Sequence, residues 1–266
     1  MPEGDTIHRV ADRLRPALVG QPLVRLEAPR ARAVARRPPP GTTVVAVDAV
    51  GKHLLVRFEG GVVLRTHLRM TGSWHLYRTG EAWRKGRHLV RALVEVPGWV
   101  AVCFAAPVVE LDHEATGLPA IAHLGPDLSA AGVADADLEV CVARMAAVAG
   151  PDDEIGAVLL DQRVACGVGN AFKSEVLWAC GVDPFVAVAE LPAATRRQLV
   201  ATAARQLRAS VTAVGIRTTV PGGLAVYGRR GKPCRRCGTP VRMRHQGEQA
   251  RSTYWCPTCQ PPGAGA

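Results

Sequence analysis

Apolar and polar residues follow two different periodicities along this chain, and the change between them divides it into predicted domains. Near the start, apolar residues recur at helical spacing on one face: Ile7, Val10, Ala11, Leu14 and Leu18. This pattern predicts a helix that begins at an Asp5 N-cap and continues to about Leu18. Pro16 is expected to kink or shorten the last turn of that helix.

From Leu23 to about Asp112 the chain has the pattern of short β-strands, rich in valine and separated by turn residues such as Pro97-Gly98. Strands are predicted at residues 44–50, 54–58, 62–68, 88–96, 99–104 and 108–112. About six to eight short strands of this kind are typical of a β-sandwich or barrel. The arginine- and proline-rich stretch from Arg30 to Gly41 is predicted to be a surface loop.

After Gly117 the pattern becomes helical. Helices are predicted at residues 134–149, 154–160, 170–179 and 192–214. Residues 241–245 and 250–255 then predict the two strands of a hairpin.

Four of the eight cysteines form a regular pattern near the C-terminus: Cys234-x2-Cys237 and Cys256-x2-Cys259, separated by eighteen residues. This spacing is typical of a zinc site in which four thiolates surround one Zn2+ in a tetrahedron. Such an ion stabilises a segment that is too small to have its own hydrophobic core. The pattern therefore predicts one structural zinc, with no catalytic role, at the base of the predicted hairpin.

Together these patterns predict a multidomain α+β protein. We expect an N-terminal β-sandwich domain with a leading helix at residues 1–118 and a helical domain at 119–224. A zinc-finger β-hairpin is expected at 225–260, followed by a tail at 261–266.

The distribution of charge points to a polyanionic partner. The 266-residue chain has a net charge of +10, and residues 228–266 alone carry eight basic residues and one acidic residue. A short segment with this charge density favours contact with the phosphates of nucleic acid. No apolar run reaches the length of a membrane span, and charge from Glu3 onward argues against a signal peptide. We therefore expect a cytoplasmic protein with no membrane partner.

The first residues, Met1-Pro2-Glu3, carry a candidate nucleophile. Loss of Met1 would expose the secondary amine of Pro2 beside the carboxylate of Glu3. A chain-end amine titrates near about 8 and a lysine near about 10.4, so much more of the former is unprotonated at neutral pH. Such an amine can attack a sugar C1′ to form a Schiff base while the carboxylate moves protons. An ordinary methionine start followed by a turn has the same residues, so this pattern alone leaves both interpretations open.

Three further turns hold candidate residues whose patterns are also compatible with ordinary structural roles. Lys52 lies between two predicted strands and should project from a hairpin, where a lysine is often only solvated. Met70 lies in a loop after a strand, and core packing is the common role of a methionine. Gly167 and Gly169 precede the predicted helix start at Asn170, where backbone N–H groups could bind a phosphate oxygen.

The combination of these motifs resembles the formamidopyrimidine-DNA glycosylase/endonuclease VIII family over nearly the whole chain. The shared segments occur in the family's order: Pro2-Glu3-Gly4, Gly51-Lys52-His53, Leu160-Asp161-Gln162 leading to Gly167-Val168-Gly169-Asn170, Val226-Tyr227-Gly228-Arg229, and Tyr254-Trp255-Cys256-Pro257-Thr258-Cys259-Gln260. The resemblance implies an N-terminal β-sandwich, a helix–two-turn–helix domain and a zinc finger. It also implies a bifunctional DNA glycosylase and abasic-site lyase of base excision repair, whose partner is double-stranded DNA with a damaged base or abasic site. We expect a monomer.

The resemblance implies a catalytic role for three residues. Pro2 would attack C1′ of a damaged nucleotide, Glu3 would transfer protons, and Lys52 would lie at the DNA backbone beside the site. The Schiff base then permits β,δ-elimination, which cuts the strand.

DNA-binding roles are implied for three more residues. Asn170 and Arg251 would bind phosphates that flank the lesion, one from each DNA-binding element. Met70 matches a position that fills the gap left by the extruded base, which such an enzyme must remove from the stack.

Two departures from the family pattern bear on the substrate. The family often has Pro-Glu where this chain has Asp5-Thr6, so a lesion contact from Thr6 is not implied. The formamidopyrimidine branch carries an Arg-Arg-Phe loop, and residues 106–111 here read Ala-Pro-Val-Val-Glu-Leu. The absence of that loop, the Pro2-Glu3-Gly4 start and the Tyr254-Trp255-Cys256 ending favour endonuclease VIII and oxidised pyrimidines. The alternatives are a formamidopyrimidine/8-oxoguanine glycosylase and a non-catalytic zinc-ribbon DNA-binding protein.

Overall fold

A computed structural model describes residues 2–33, 35–213 and 219–265. The chain divides into two compact units, Met1–His123 and Leu124–Ala266. Within the described ranges, no helix combines the length and the apolar character needed to cross a membrane.

The first unit begins with helix α1 (Gly4–Leu18). Its N-cap is Glu3, so the prediction of Asp5 as N-cap was wrong. The Glu3 carbonyl accepts the first helical hydrogen bonds, whereas the Asp5 side chain is fully buried inside the first turn. Of the two effects predicted for Pro16, a kink or a shortened last turn, the shortening does not occur, because the helix continues through Pro16 to its predicted end at Leu18.

Strands and short helices make up the rest of the described part of this unit. The strands are β1 (Arg25–Glu27), β2 (Arg32–Ala33), β3 (Val44–Val50), β4 (His53–Phe58), β5 (Val62–His67), β6 (Ser73–Arg78), β7 (Val90–Val96), β8 (Trp99–Phe104) and β9 (Val108–His113). Two 3-10 turns, Arg87–Leu89 and Glu114–Thr116, and the short helix α2 (Pro119–Ala122) complete it.

These strands form two sheets, one ordered β1-β7-β8-β6 and the other β2-β9-β5-β4-β3. The predicted β-sandwich is therefore confirmed. Two short strands and β6 were not predicted, and the expected surface loop at residues 30–41 contains β2, which pairs in parallel with β9. The core between the sheets also receives α1 through Ile7, Leu14 and Leu18, each nearly or fully buried. Burial of one such side chain stabilises the fold by roughly 1.5–3 kcal/mol, so α1 is held firmly on the sandwich.

The second unit contains helices and one hairpin. Its elements are α3 (Asp135–Val148), α4 (Ile155–Val158), α5 (Asn170–Cys180), a 3-10 turn (Val188–Glu190), α6 (Ala193–Thr212), β10 (Arg242–Gln246) and β11 (Arg251–Trp255). The predicted end of the last helix at residue 214 lies outside the described residues. α5 is buried along almost its whole length and packs on both α6 and β11. The helical domain and the hairpin thus share one central helix.

Candidate active site and metal centre

The N-terminal end of α1 holds the predicted nucleophile in place. Pro2 is half-buried, and the next residue, Glu3, is only 1% exposed. The Glu3 carbonyl accepts hydrogen bonds from the backbone N–H groups of Thr6 and Ile7 at 3.0 and 3.3 Å. Because α1 is packed in the core, these bonds fix the start of the chain as a structured element. A chain end held in this way can contribute to a site with defined geometry.

Lys52 lies in the tight turn between β3 and β4, as predicted from the sequence. Gly51 allows this turn because its φ is +57°, in the left-handed region that favours glycine. His53, the first residue of β4, is paired in register with His67, the last residue of β5. The Lys52 turn and the loop that follows His67 therefore leave the same end of this sheet.

The loop after β5 presents Met70 to solvent. Met70 is 67% exposed, whereas Leu68 at the start of the loop is 2% exposed and anchors it in the core. The loop is closed by a backbone hydrogen bond of 2.9 Å from Gly72 to Leu68 and by a bond of 2.9 Å from the Thr71 hydroxyl to the Ala105 carbonyl. An unbranched apolar side chain held in water at a loop tip suits insertion between bases.

The structure adds a histidine pair that sequence reasoning missed. The rings of His53 and His67 meet edge to face with their centroids 4.7 Å apart. Nη1 of Arg65 donates to Nδ1 of His53 at 2.8 Å, and the backbone N–H of Arg69 donates to Nδ1 of His67 at 3.2 Å. Because a guanidinium can only donate, His53 accepts at Nδ1 and carries its proton at Nε2. The sequence signal that could have indicated this pair is a histidine beside each of two predicted loops: His53 follows Lys52, and His67 precedes the loop that holds Met70.

Both imidazoles are neutral at physiological pH. Burial, with the charges of neighbouring cations, lowers the pKa of His53 to about 3. Burial and then the charge of Lys52 lower the pKa of His67 to about 4. The nearby cations that contribute are Lys52, Arg65 and Arg69. This end of the sheet therefore has a positive potential that favours a phosphate group.

This pair predicts a loss of stability in acid. Below about pH 6.5 the unfolded chain protonates these histidines while the folded protein does not, so stability falls until the folded pKa values of about 4 and 3 are reached. We expect the double variant His53→Gln/His67→Asn to lose roughly 2–5 kcal/mol less than the wild type between pH 7 and pH 4.5. Urea unfolding at both pH values measures the difference. Equal losses in the two proteins would show that the histidines do not cause it.

In the second unit, the turn before α5 is built around Gln162. Its amide nitrogen donates to the carbonyls of Leu160 and Val168 at 2.7 and 3.0 Å, and its oxygen accepts the N–H of Gly167 at 3.1 Å. Gly167 has a φ of +99°, a conformation that favours glycine. These contacts give the predicted glycine turn one defined path into the helix start at Asn170.

The structure places Asn170 against the zinc-finger hairpin. Nδ2 of Asn170 donates to the backbone carbonyl of Ser252 at 2.8 Å and lies 3.2 Å from its hydroxyl oxygen. Arg251, the neighbour of Ser252 on β11, is exposed and donates to the side-chain oxygen of Gln249 at 2.8 Å. Two residues that are 81 positions apart in the sequence, Asn170 and Arg251, are thus brought to adjacent elements. Asn170 is hydrogen-bonded to the hairpin backbone, and Arg251 is exposed at the surface.

The four predicted zinc ligands form one cluster. The Sγ atoms of Cys234, Cys237, Cys256 and Cys259 all lie within 4.8 Å of one another. The first and last sulfurs are 3.9 Å apart, and the middle two are 3.4 Å apart. A tetrahedral zinc with bonds of about 2.3 Å separates its sulfurs by about 3.8 Å. The donor set and its spacing therefore fit one structural Zn2+.

The surroundings of this cluster support thiolates and connect it to α5. Nε1 of Trp178 and the backbone N–H of Arg236 donate to the sulfur of Cys234 at 3.3 and 3.4 Å. The Arg236 guanidinium lies over the Trp178 ring, 4.2 Å from its centroid. Hydrogen bonds of this kind orient metal ligands and offset their negative charge.

The chain matches known protein families over most of its length. Three family models match: the formamidopyrimidine-DNA glycosylase N-terminal domain at residues 1–103, the H2TH domain of the same enzymes at 124–220, and a zinc finger found in FPG and IleRS at 231–262. The chain is 42% identical to "Probable endonuclease 8 2" of Streptomyces coelicolor, covering 98% of this chain and 94% of that one. It is 37% identical to "DNA-(apurinic or apyrimidinic site) lyase Nei2" of Mycolicibacterium smegmatis, covering 98% and 99%.

Solved structures are similar over the same length. The MutM (FPG) protein of Thermus thermophilus matches with a TM-score of 0.79 at 30% identity, covering 98% of this chain and 100% of that one. The formamidopyrimidine-DNA glycosylase of Lactococcus lactis, solved with abasic-site DNA, matches with a TM-score of 0.81 at 22% identity and the same coverage. The second likeness shows a shared fold.

Proposed function

The chain belongs to the formamidopyrimidine-DNA glycosylase/endonuclease VIII family, and from this we propose that it is a bifunctional DNA glycosylase and abasic-site lyase of base excision repair. The observation that supports this most directly is the anchored chain end, with Pro2 beside the buried Glu3 at the start of α1. The relative named as a DNA-(apurinic or apyrimidinic site) lyase supports a strand-cutting step. We propose that one chain acts alone, in the bacterial cytosol, on double-stranded DNA.

The proposed reaction uses the Pro2 nitrogen after removal of Met1. Its lone pair forms a bond to C1′ of the damaged nucleotide, and the bond from C1′ to the base breaks with its electrons leaving on the base, which takes up a proton. The Pro2 nitrogen loses its proton, the C1′–O4′ bond breaks with a proton taken up by O4′, and a cationic iminium remains between Pro2 and C1′. Removal of a C2′ proton then expels the 3′ phosphate, removal of a C4′ proton expels the 5′ phosphate, and water hydrolyses the iminium to release the amine. Glu3 supplies and accepts the protons.

Lys52 and the neighbouring cations would hold the DNA strand at this site. The ammonium group lies at the end of the sheet where Arg65 and Arg69 also raise the potential, as its effect on the pKa of His67 indicates. A phosphate next to the lesion is the natural ligand of such a site. Positioning of the sugar over the Pro2 amine would follow from that contact.

Asn170, Arg251 and Met70 would bind and distort the duplex. Asn170 begins α5, where the helix dipole favours a phosphate, and the exposed Arg251 lies on the adjoining hairpin. Extrusion of a base costs a few kcal/mol, and the exposed Met70 side chain would offset part of this by filling the vacated space.

We propose oxidised pyrimidines as the excised bases. Only residues 105–107 connect β8 to β9, and they are Ala-Ala-Pro. This short connection has no arginine or aromatic side chain to insert opposite an extruded purine lesion. The relatives named endonuclease 8 support the same branch.

Borohydride trapping tests the proposal. Untagged protein, with loss of Met1 verified by mass, is incubated with matched duplexes that carry an abasic site, 5-hydroxyuracil or 8-oxoguanine. We expect a covalent adduct with the abasic site and with 5-hydroxyuracil, and much less with 8-oxoguanine. Preferential trapping of 8-oxoguanine would reverse the lesion assignment. Binding with no adduct on any duplex would favour a non-catalytic DNA-binding protein.

The role of Arg251 predicts a change in salt dependence. Arg251→Ala should weaken binding to all sequences and reduce the slope of log K against log salt by about one, because one phosphate contact is lost. Fluorescence anisotropy at several salt concentrations measures the slope. Arg197→Ala is the matched control, since Arg197 is an arginine on α6 that pairs with Asp135 and Glu139. A slope for Arg251→Ala equal to that of the control would remove Arg251 from the phosphate contacts.

A further inference from the structure

Residues 219–227, here called the strap, precede the first zinc ligand, Cys234, and contain no charged side chain. Two consecutive glycines, Gly222 and Gly223, bend the strap with φ values of +81° and +122°. A bend of this kind is not rigid by itself, because glycine has many accessible conformations. The strap therefore depends on contacts with other elements for its conformation.

Arg235 holds the carbonyl groups of the strap. It lies between the first two cysteines of the zinc site, and its guanidinium donates three hydrogen bonds to backbone oxygens. Nε reaches Leu224 at 3.0 Å, Nη1 reaches Pro221 at 3.2 Å and Nη2 reaches Gly222 at 2.7 Å. The planar fork of an arginine can bond three carbonyls at once, whereas a lysine offers a single point charge. This one side chain joins the strap to residues 234–237, here called the zinc knuckle.

Glu175 of α5 binds backbone N–H groups of the strap, whereas Arg235 binds its carbonyl groups. Its carboxylate is 1% exposed and accepts the backbone N–H groups of Ala225, Val226 and Tyr227 at 2.7, 2.9 and 2.8 Å. It also accepts a hydrogen bond from the hydroxyl of Thr219. A buried carboxylate requires such donors, so this arrangement binds the strap to α5.

Two further contacts, one near each end of the strap, fix its position. A Cβ atom on Gly222 would lie 2.8 Å from Nη1 of Arg235, so the guanidinium occupies the space that any other residue would need. At the other end of the strap, the ring of Tyr227 meets that of Tyr254 on β11 edge to face, with centroids 5.2 Å apart. The strap therefore contacts the zinc knuckle, α5 and the hairpin.

We propose that Arg235 is a positioning residue through which the zinc site fixes the strap between α5 and β11. The strap in turn braces the two elements that begin with Asn170 and Arg251, so their spacing depends on Arg235. This inference rests on the proposed phosphate-binding role of those two residues. Because zinc determines the knuckle backbone, the ion acts on DNA binding beyond its own finger. Arg235 itself contacts carbonyl groups, so its loss should affect geometry and leave the number of phosphate contacts unchanged.

The test compares zinc-loaded Arg235→Ala with Arg197→Ala. Arg197 is the control because it is an arginine on α6 whose guanidinium pairs with Asp135 and Glu139 of α3. Hydrogen exchange should become about tenfold faster or more at the amides of residues 225–227 in Arg235→Ala and remain unchanged in the control. Binding to a duplex with a stable abasic-site analogue should weaken about five- to tenfold in Arg235→Ala, with an unchanged salt slope. Gly222→Ala, which leaves every charge in place, should reproduce both effects.

Each contrary result has a distinct meaning. Equal exchange in the Arg235 and Arg197 variants would overturn the role of Arg235 in the strap. A reduced salt slope in Arg235→Ala would also overturn it, because the residue would then be a phosphate contact. Failure of the wild-type protein to bind abasic-site DNA would contradict the proposed function, while the exchange comparison would still decide the role of Arg235.

Discussion

Protein that retains Met1, or that carries a tag before Pro2, will form no borohydride-trapped adduct with abasic-site DNA. In both cases the nitrogen of Pro2 is part of an amide, so its lone pair cannot attack C1′. We expect strand cleavage to fall by about 10^3-fold or more, as is usual when an enzyme loses its nucleophile. Quantified trapping and cleavage of the same abasic-site duplex measure the loss.

Pro2→Ala tests whether the reaction needs the secondary amine of the proline ring or only a free amine at the chain terminus. The variant has a primary amine, whose imine is neutral until it is protonated, whereas proline gives a permanently cationic iminium. We therefore expect Pro2→Ala also to lose the strand-cutting reaction. Glu3→Gln, which keeps the amine but removes the proton-transferring carboxylate, is expected to do the same.

DNA binding provides the control for these variants. Asn170 and Arg251 lie in the second unit and are unaffected by changes at Pro2, so affinity should stay within about threefold of the wild-type value. A normal amount of adduct from tagged protein would contradict the Pro2 mechanism. A lysine would then be the candidate nucleophile, with Lys52 the first to replace.

Removal of the zinc is expected to have the second large effect. Cys237→Ser should lose the ion and reduce DNA affinity by about 100-fold or more, because the small hairpin that bears Arg251 depends on the metal for its fold. Cys237 is exposed, so its substitution creates no cavity in a hydrophobic core. Metal content by mass spectrometry and binding by anisotropy measure the two effects.

Cys180→Ser is the matched control for the metal site. Cys180 is half-buried, lies at the end of α5 and is not part of the four-cysteine cluster. It should retain one zinc per chain and bind DNA normally. Trp178 gives a second readout, since its ring nitrogen donates to Cys234 and its fluorescence should change when the zinc site is lost. Unchanged affinity of the zinc-free Cys237→Ser protein would show that the finger does not contribute to DNA binding.

Much of this organisation can be predicted from local sequence patterns. The zinc site is an example, because two Cys-x2-Cys pairs specify the ligands and the knuckle geometry over a few residues. The same holds for α1 and α5, whose lengths follow from apolar spacing and from glycines at their ends. In contrast, β6 was not predicted, since its alternation includes His75 and its stability comes from pairing with β8. The N-cap of α1 was misassigned because burial of Asp5 depends on the fold around it.

In the candidate site, too, some features were indicated by the sequence and others depend on tertiary contacts. The resemblance to the family implied roles for Pro2, Glu3 and Lys52, and these residues suit the roles because a chain-end amine is nucleophilic and the Glu3 and Lys52 side chains carry charge. Only the tertiary structure determined that His53 and His67 form a neutral pair, since burial and neighbouring cations set their pKa values. Contacts such as that of Asn170 with Ser252, 82 positions away, were equally beyond local patterns. The sequence by itself determined which groups are present, and folding decided which meet and which lose water, because both depend on contacts between distant segments.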